Sequence, residues 1–157
     1  MNNLIEQLKI DEAFSSVVYK CPAGANTIGY GYNLDSNSLH LSSLEINHAF
    51  RNGMCEVEAE RILIIMVKKT VEELKRIFTN WNEISKIRQD ALTNMCFNLG
   101  VTRFLKFKKM IILVEDNDFI MAGKEGLNSL WAKQLPARSK RVMELLVRGS
   151  LLVMSPT

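Results

Sequence analysis

Asp11 and Glu12 stand side by side where a helical pattern gives way to a β-prone one. Leu4, Ile5 and Leu8 recur at helical spacing, so residues 3–11 read as a short amphipathic helix that ends at the acids. An acid at the edge of a buried junction has its neutral form favoured by desolvation, and such a group can act as a proton donor. Taken alone the pair is a weak signal, because most neighbouring acids are solvated surface. The other reactive side chains narrow the chemistry. Cys21, Cys55 and Cys96 are odd in number and widely spaced, which is no disulfide framework and fits a reducing compartment. His40 and His48 lack acidic or thiol companions at ligand spacing, so neither a metal nor another cofactor is expected. Met95, Met110 and Met143 fall at core positions of helical patterns.

The elements that must position these groups follow from patterning. Ser16–Tyr19 and Thr27–Tyr32 are β-prone, separated by the turn-like Cys21-Pro22-Ala23-Gly24-Ala25-Asn26 and followed by turn-like residues 33–38. They predict a small antiparallel sheet of two or three short strands. From residue 39 onward the chain reads helical. Leu39, Leu41, Leu44, Ala49 and Phe50 predict a helix ending near Asn52-Gly53. A long helix is predicted over 56–78, with Glu56, Glu58 and Glu60 in its first turn and Lys75 and Arg76 in its last, matching the helix dipole. Ser85 is placed to cap a helix that Gly100 ends, and shorter helices are predicted near 106–114, 117–130 and 136–148, the last opened by Pro136. The apolar residues Leu151–Met154 are expected to pack on the helical part. The predicted fold class is α+β and mostly helical, a single domain over 1–157. A small N-terminal antiparallel sheet lobe, about 12–55, is expected to join through the helix at about 56–78 to a helical lobe of about 80–157 together with residues 1–11.

Context raises the weight of Glu12. Eight residues separate it from Cys21, and five separate Cys21 from Thr27, within a run that includes Thr27-Ile28-Gly29-Tyr30-Gly31. This region closely resembles the active-site region of the phage-type lysozymes, glycoside hydrolase family 24, whose pattern is Glu, eight residues, Asp or Cys, five residues, Thr. Asn94-Met95-Cys96-Phe97-Asn98-Leu99-Gly100 resembles that family's Asn-Met-x-Phe-polar-x-Gly segment. Trp131 followed by Pro136-Ala137-Arg138-Ser139-Lys140-Arg141 resembles its Trp…Pro-x-Arg-x-x-Arg segment. The three segments occur in the family's order and span nearly the whole chain.

The resemblance implies a lysozyme-like fold and an endolysin that hydrolyses the β-1,4 bond between N-acetylmuramic acid and N-acetylglucosamine of peptidoglycan. It implies that Glu12 protonates the departing glycosidic oxygen, that Cys21 stands where many relatives carry Asp, and that Thr27 holds a water. Phe97 and Asn98 are implied to line the substrate cleft, and Arg138 to approach the catalytic Glu. Hydrolysis needs a second group on the far face of the sugar. Two routes stay open for Cys21: helping Thr27 position a water, or attacking to form a thioglycoside. Where the family often has Gly-His, this chain has Gly31-Tyr32; Tyr32 is a candidate for substrate binding or for support of the sheet. For Phe97 and Trp131 a plain core position is the competing reading, and a buried Asn98 would need partners.

Charge and partners follow. The chain has 157 residues and net charge +3. Residues 1–55 carry Lys9, Lys20 and Arg51 against Glu6, Asp11, Glu12, Asp35 and Glu45, so the basic excess lies in the remainder. That suits an anionic polymer such as a cell envelope. Nucleic acid is not the expected partner, because basic and aromatic residues are not interleaved along one face. The longest apolar run, Ile62–Val67, is too short to span a bilayer, so no stable membrane insertion is expected. The N-terminal residues show no secretory pattern. The expected protein is a monomer held in the host cytoplasm until a separate membrane lesion, such as a holin-type pore, releases it to the wall. The competing function is a peptidoglycan-binding protein of the same fold that cuts weakly or not at all, and Cys21 is the residue that keeps it open.

Overall fold

The computed structural model describes residues 2–150, so the apolar segment 151–154 lies outside the described residues. Its contacts divide the chain into two compact units, one up to Lys68 and one from Lys69 onward. The first contains α1 (Asn2–Glu12), strands β1 (Ser15–Lys20), β2 (Asn26–Gly29) and β3 (Tyr32–Asn33), and α2 (Ser43–Asn52). The helix α3 (Glu56–Ile77) begins in the first unit and ends in the second. Helix α1, which the sequence groups with the helical lobe, falls in the first unit.

The sheet is antiparallel in the order β1-β2-β3, and the fold is α+β and mostly helical, as expected. Tyr19 pairs with Thr27 and Lys20 with Asn26, which makes Cys21–Ala25 the hairpin loop. A register shift between Ser15 and Tyr19 then sets Ser15 opposite Gly29. Ile28, Tyr32, Leu34, Ala49 and Ile62 form the small core of this unit. The helix α2 starts later than the apolar pattern suggests. Ser42 and Glu45 form a capping box, each side chain bonding the other's backbone N–H. Leu39 and Leu41 therefore lie in the preceding loop, partly buried against the core. Their burial, not helicity, explains their spacing.

The second unit contains a 3₁₀ turn (Trp81–Glu83), α4 (Lys86–Leu99), α5 (Val101–Phe104), α6 (Lys108–Glu115), α7 (Phe119–Leu127), α8 (Leu130–Gln134) and α9 (Pro136–Arg148). Ser85 accepts from the Arg88 N–H and Gly100 ends α4, as the sequence predicts. The single helix expected over 117–130 is instead α7, a break, and then α8. Ser129 causes the break: its hydroxyl accepts from the Ala132 N–H and donates to the Gly126 carbonyl, starting a new helix there. Helix α9 packs against α4, α7 and α8, around a core that includes Phe78, Leu92, Met95, Phe104, Met110, Trp131, Met143 and Leu146. Among the described residues no helix is long and apolar enough to cross a membrane.

Candidate active site

Glu12 is the last residue of α1, and it is half-buried. The helix stops there because Ala13 adopts a left-handed conformation, φ 57°, while its N–H donates to the Lys9 carbonyl at 3.0 Å. Lys9 ties the helix down through an ion pair with Glu60 at 3.1 Å. Gly31 closes in on the carboxyl group from the β2–β3 turn. A Cβ at Gly31 would stand 3.1 Å from Glu12 Oε2 and 3.7 Å from its Cδ. With φ +77° as well, the position suits a glycine, and the bare backbone lies against the Glu12 carboxyl group. The turn is held by Tyr30, whose hydroxyl donates to Glu56 Oε1 at 2.7 Å and whose ring meets Phe14 at 5.5 Å. Burial, with Glu56 beside it, pushes the Tyr30 phenol up to about 12.

The hairpin loop wraps around Cys21. Its N–H donates to the Ala25 carbonyl at 3.0 Å and its carbonyl accepts from Gly24 N–H at 2.8 Å. The Ala25 N–H aimed at the sulfur holds the thiol below its ordinary pKa; desolvation opposes this, while the Ala23 N–H, the Thr27 hydroxyl and the Gly24 N–H reinforce it. Thr27 is 3% exposed, with Oγ1 donating to the Ala25 carbonyl at 3.0 Å. The sulfur, Thr27 Oγ1 and the Ala25 backbone thus form one hydrogen-bonded group. Asp35 anchors it, accepting from Asn26 N–H at 2.8 Å and Asn26 Nδ2 at 3.0 Å, and these bonds hold its carboxyl below the usual range. Asp35 escapes a sequence reading because its partner is nine residues away across a turn. Tyr19, opposite Thr27 in the ladder, is likewise not singled out by the sequence.

Tyr32 belongs elsewhere. It is 1% exposed in the small core; its hydroxyl donates to Asn37 Oδ1 at 2.7 Å and accepts from Leu39 N–H at 3.2 Å. Of the two roles open to it, the geometry matches support of the sheet and its following loop, since such a ring offers a ligand no surface. A cavity of about 630 Å³ in this unit is lined by Leu41, Leu44, His48, Met54, Cys55 and Ile62 among others, and by none of the predicted site residues.

In the second unit, α4 carries Asn94 and Asn98 one turn apart on one face. Asn94 Oδ1 accepts from Arg138 Nε at 2.9 Å, and Asn98 Oδ1 accepts from Trp131 Nε1 at 2.8 Å. The same helix thus orients both the arginine of α9 and the indole of α8. Trp131 is buried in the core, whereas Phe97 and Asn98 are half-buried. With its oxygen committed to the indole, Asn98 keeps its amide nitrogen as a donor. Cys96, between these residues, is buried and its thiol is pushed up to about 12, which makes it inert. Phe97 and Asn98 thus lie on α4 and Arg138 on α9, while Glu12 ends α1, Cys21 opens the hairpin loop and Thr27 lies on β2.

The chain resembles known proteins over almost its whole length. It is 29% identical to Probable T4-type lysozyme 1 of Dictyostelium discoideum, covering 96% of this chain and 97% of that protein. To Probable T4-type lysozyme 2 of the same organism it is 32% identical, with the same coverage. It is 24% identical to the Pre-baseplate central spike protein Gp5 of Enterobacteria phage T4, covering 95% of this chain but 28% of that protein. Residues 9–149, which include every site residue named above, match the phage lysozyme family, and the chain belongs to that family.

Proposed function

We propose that this chain is an endolysin that hydrolyses the β-1,4 bond between N-acetylmuramic acid and N-acetylglucosamine in bacterial peptidoglycan. Membership of the phage lysozyme family supports a glycoside hydrolase of lysozyme type. The observation that carries the mechanism is the Cys21–Thr27 group, a thiol biased towards its thiolate and bonded to a buried hydroxyl. Glu12 gives its carboxyl proton to the glycosidic oxygen as the bond to C1 breaks. A water attacks C1 and passes a proton to the Cys21 thiolate, which becomes a thiol. That proton then returns to the Glu12 carboxylate through solvent, restoring both groups. Thr27 Oγ1 orients the water.

The thiolate serves as base rather than nucleophile in this reading. Donors around the sulfur stabilise its charge, and nucleophilicity falls as a thiol becomes more acidic. The product then has inverted configuration at C1. Phe97 and the Asn98 amide nitrogen are assigned to glycan binding, and Arg138, held by Asn94, to a charge-assisted contact within that machinery. The protein acts as a monomer and reaches the wall once a separate pore has opened the membrane.

Release of reducing ends from purified peptidoglycan tests the reading. Glu12→Gln is expected to lower the rate by about 10²–10⁴-fold, the usual worth of a general acid. NMR of the first-formed anomer is expected to show inversion; retention would assign the thioglycoside route. Wall binding without release of reducing ends would replace the hydrolase with a binding protein of the same fold.

A further inference from the structure

The chain has three tyrosines, and two are spent on structure. Tyr30 and Tyr32 are 4% and 1% exposed, with their hydroxyls donated to Glu56 and Asn37. Tyr19 differs in both respects. It is 38% exposed, and among the described residues no hydrogen bond occupies its hydroxyl. Its position is fixed by the ladder. It stands opposite Thr27, and directly opposed residues of an antiparallel pair project to the same face. One residue separates it from Cys21, where the hairpin loop begins. The phenol is held above its ordinary pKa by burial first and then by the negative charges of Glu12 and Cys21, which reach it only because the ring lies near both. It therefore stays protonated and can donate.

We propose that Tyr19 binds the sugar at the bond being cut, its ring face against the pyranose and its hydroxyl donating to a sugar oxygen. This rests on the glycosidase reading above. An amphipathic aromatic with a free polar tip suits a sugar, which is apolar on its C–H face and polar at its rim. The role is distinct from the acid, the base and the water-holding hydroxyl.

The test uses the full chain carrying Glu12→Gln, so that ligand survives, with a soluble tetrasaccharide of wall glycan followed by calorimetry. In that background Tyr19→Phe removes the hydroxyl alone and is expected to weaken Kd by about three- to tenfold, one neutral hydrogen bond. Tyr19→Ala, which also removes the ring, is expected to weaken it by about a further tenfold. Thermal melting reports folding, and in the active chain the KM of Tyr19→Phe is expected to rise more than kcat falls. Both variants within twofold of the parent in Kd and KM would overturn the proposal. So would a shifted acid limb of the pH profile with Kd unchanged, since Tyr19 would then act only by tuning Cys21. If the chain with Glu12 intact binds glycan without cutting wall, hydrolysis fails as a reading while the Kd series still decides Tyr19. If the parent does not bind, both fall together.

Discussion

Gly31→Ala separates the geometry of Glu12 from general stability. The new methyl would sit 3.1 Å from Glu12 Oε2, closer than most Cβ contacts, so the carboxyl group must give way by a few tenths of an ångström. The backbone at φ +77° adds a cost of about 1–2 kcal/mol for any residue with a Cβ. In a chain of this size that lowers Tm by roughly 2–8 °C. Gly100→Ala supplies the control, because its φ is +79° and a Cβ there meets nothing within 4 Å. It carries the strain of a positive φ without the contact. A proton donor displaced by about 1 Å loses about 100-fold in rate, or about 2.7 kcal/mol of barrier, so a shift of a few tenths costs about three- to tenfold. The expected outcome is a lowered Tm in both variants, with reducing-end release lowered about three- to tenfold in Gly31→Ala and less than about twofold in Gly100→Ala. Equal activity in the two at equal stability would show that Glu12 does not work from its place against Gly31.

The acid limb of the rate–pH profile is expected to lie below the ordinary thiol pKa of 9.0, because the water-activating step needs the thiolate and the loop holds that pKa down. Activity should rise as pH climbs through it, and Cys21→Asp should move the limb down towards the carboxylate range near ~4 while keeping activity. Arg88→Ala is expected to cost about 2–4 kcal/mol in unfolding experiments. It removes two donors from the Leu146 and Val147 carbonyls, at 2.8 and 2.9 Å, and a guanidinium stacked 3.7 Å from the Phe119 centroid. Tyr30 is a phenol whose folded pKa is raised to about 12, so its contribution is full below the unfolded value of 10.0 and is lost as pH rises from there. Tyr30→Phe is therefore expected to flatten the fall of Tm between pH 10 and 12, measured by thermal melts in alkaline buffers.

What was legible in the sequence was what is local. Glu12, Cys21 and Thr27 are picked out by their resemblance to a family pattern, and in the structure they lie at the end of α1, at the start of the hairpin loop and on β2. Ser85 and Gly100 announce the ends of α4 because caps are short-range chemistry. Tyr32 was ambiguous because the residue after Gly31 could face either side. It faces the core, where Asn37 and Leu39 take its hydroxyl. Tyr19 was recoverable in principle: once Cys21–Ala25 is the loop, Lys20 meets Asn26 and Tyr19 must meet Thr27. The break at Ser129 was hidden by apolar residues that keep helical spacing across it, although Asn128-Ser129 carries the capping signal.

The cysteine at position 21 is best understood through the loop that holds it. A carboxylate is charged at neutral pH without assistance, whereas an ordinary thiol is mostly neutral there. A chain with cysteine at that position must supply from its backbone what a carboxylate supplies from its own acidity. The hairpin loop lowers the thiol pKa with the Ala25 and Ala23 amides, the Thr27 hydroxyl and the Gly24 amide, against the opposing desolvation. Thr27 Oγ1 donates to the Ala25 carbonyl at 3.0 Å, and the same hydroxyl helps to lower the thiol pKa. Thr27→Val, close in shape but without the hydroxyl, therefore acts on both partners. It should raise the thiol pKa, move the acid limb of activity to higher pH, and leave an isolated loss of rate above the limb from the misplaced water. In the Cys21→Asp background the first effect should shrink, since the carboxylate remains ionised with one donor fewer, while the second remains. A Thr27→Val variant whose pH limb stays fixed in the cysteine background would show that the sulfur draws its acidity from the amides alone.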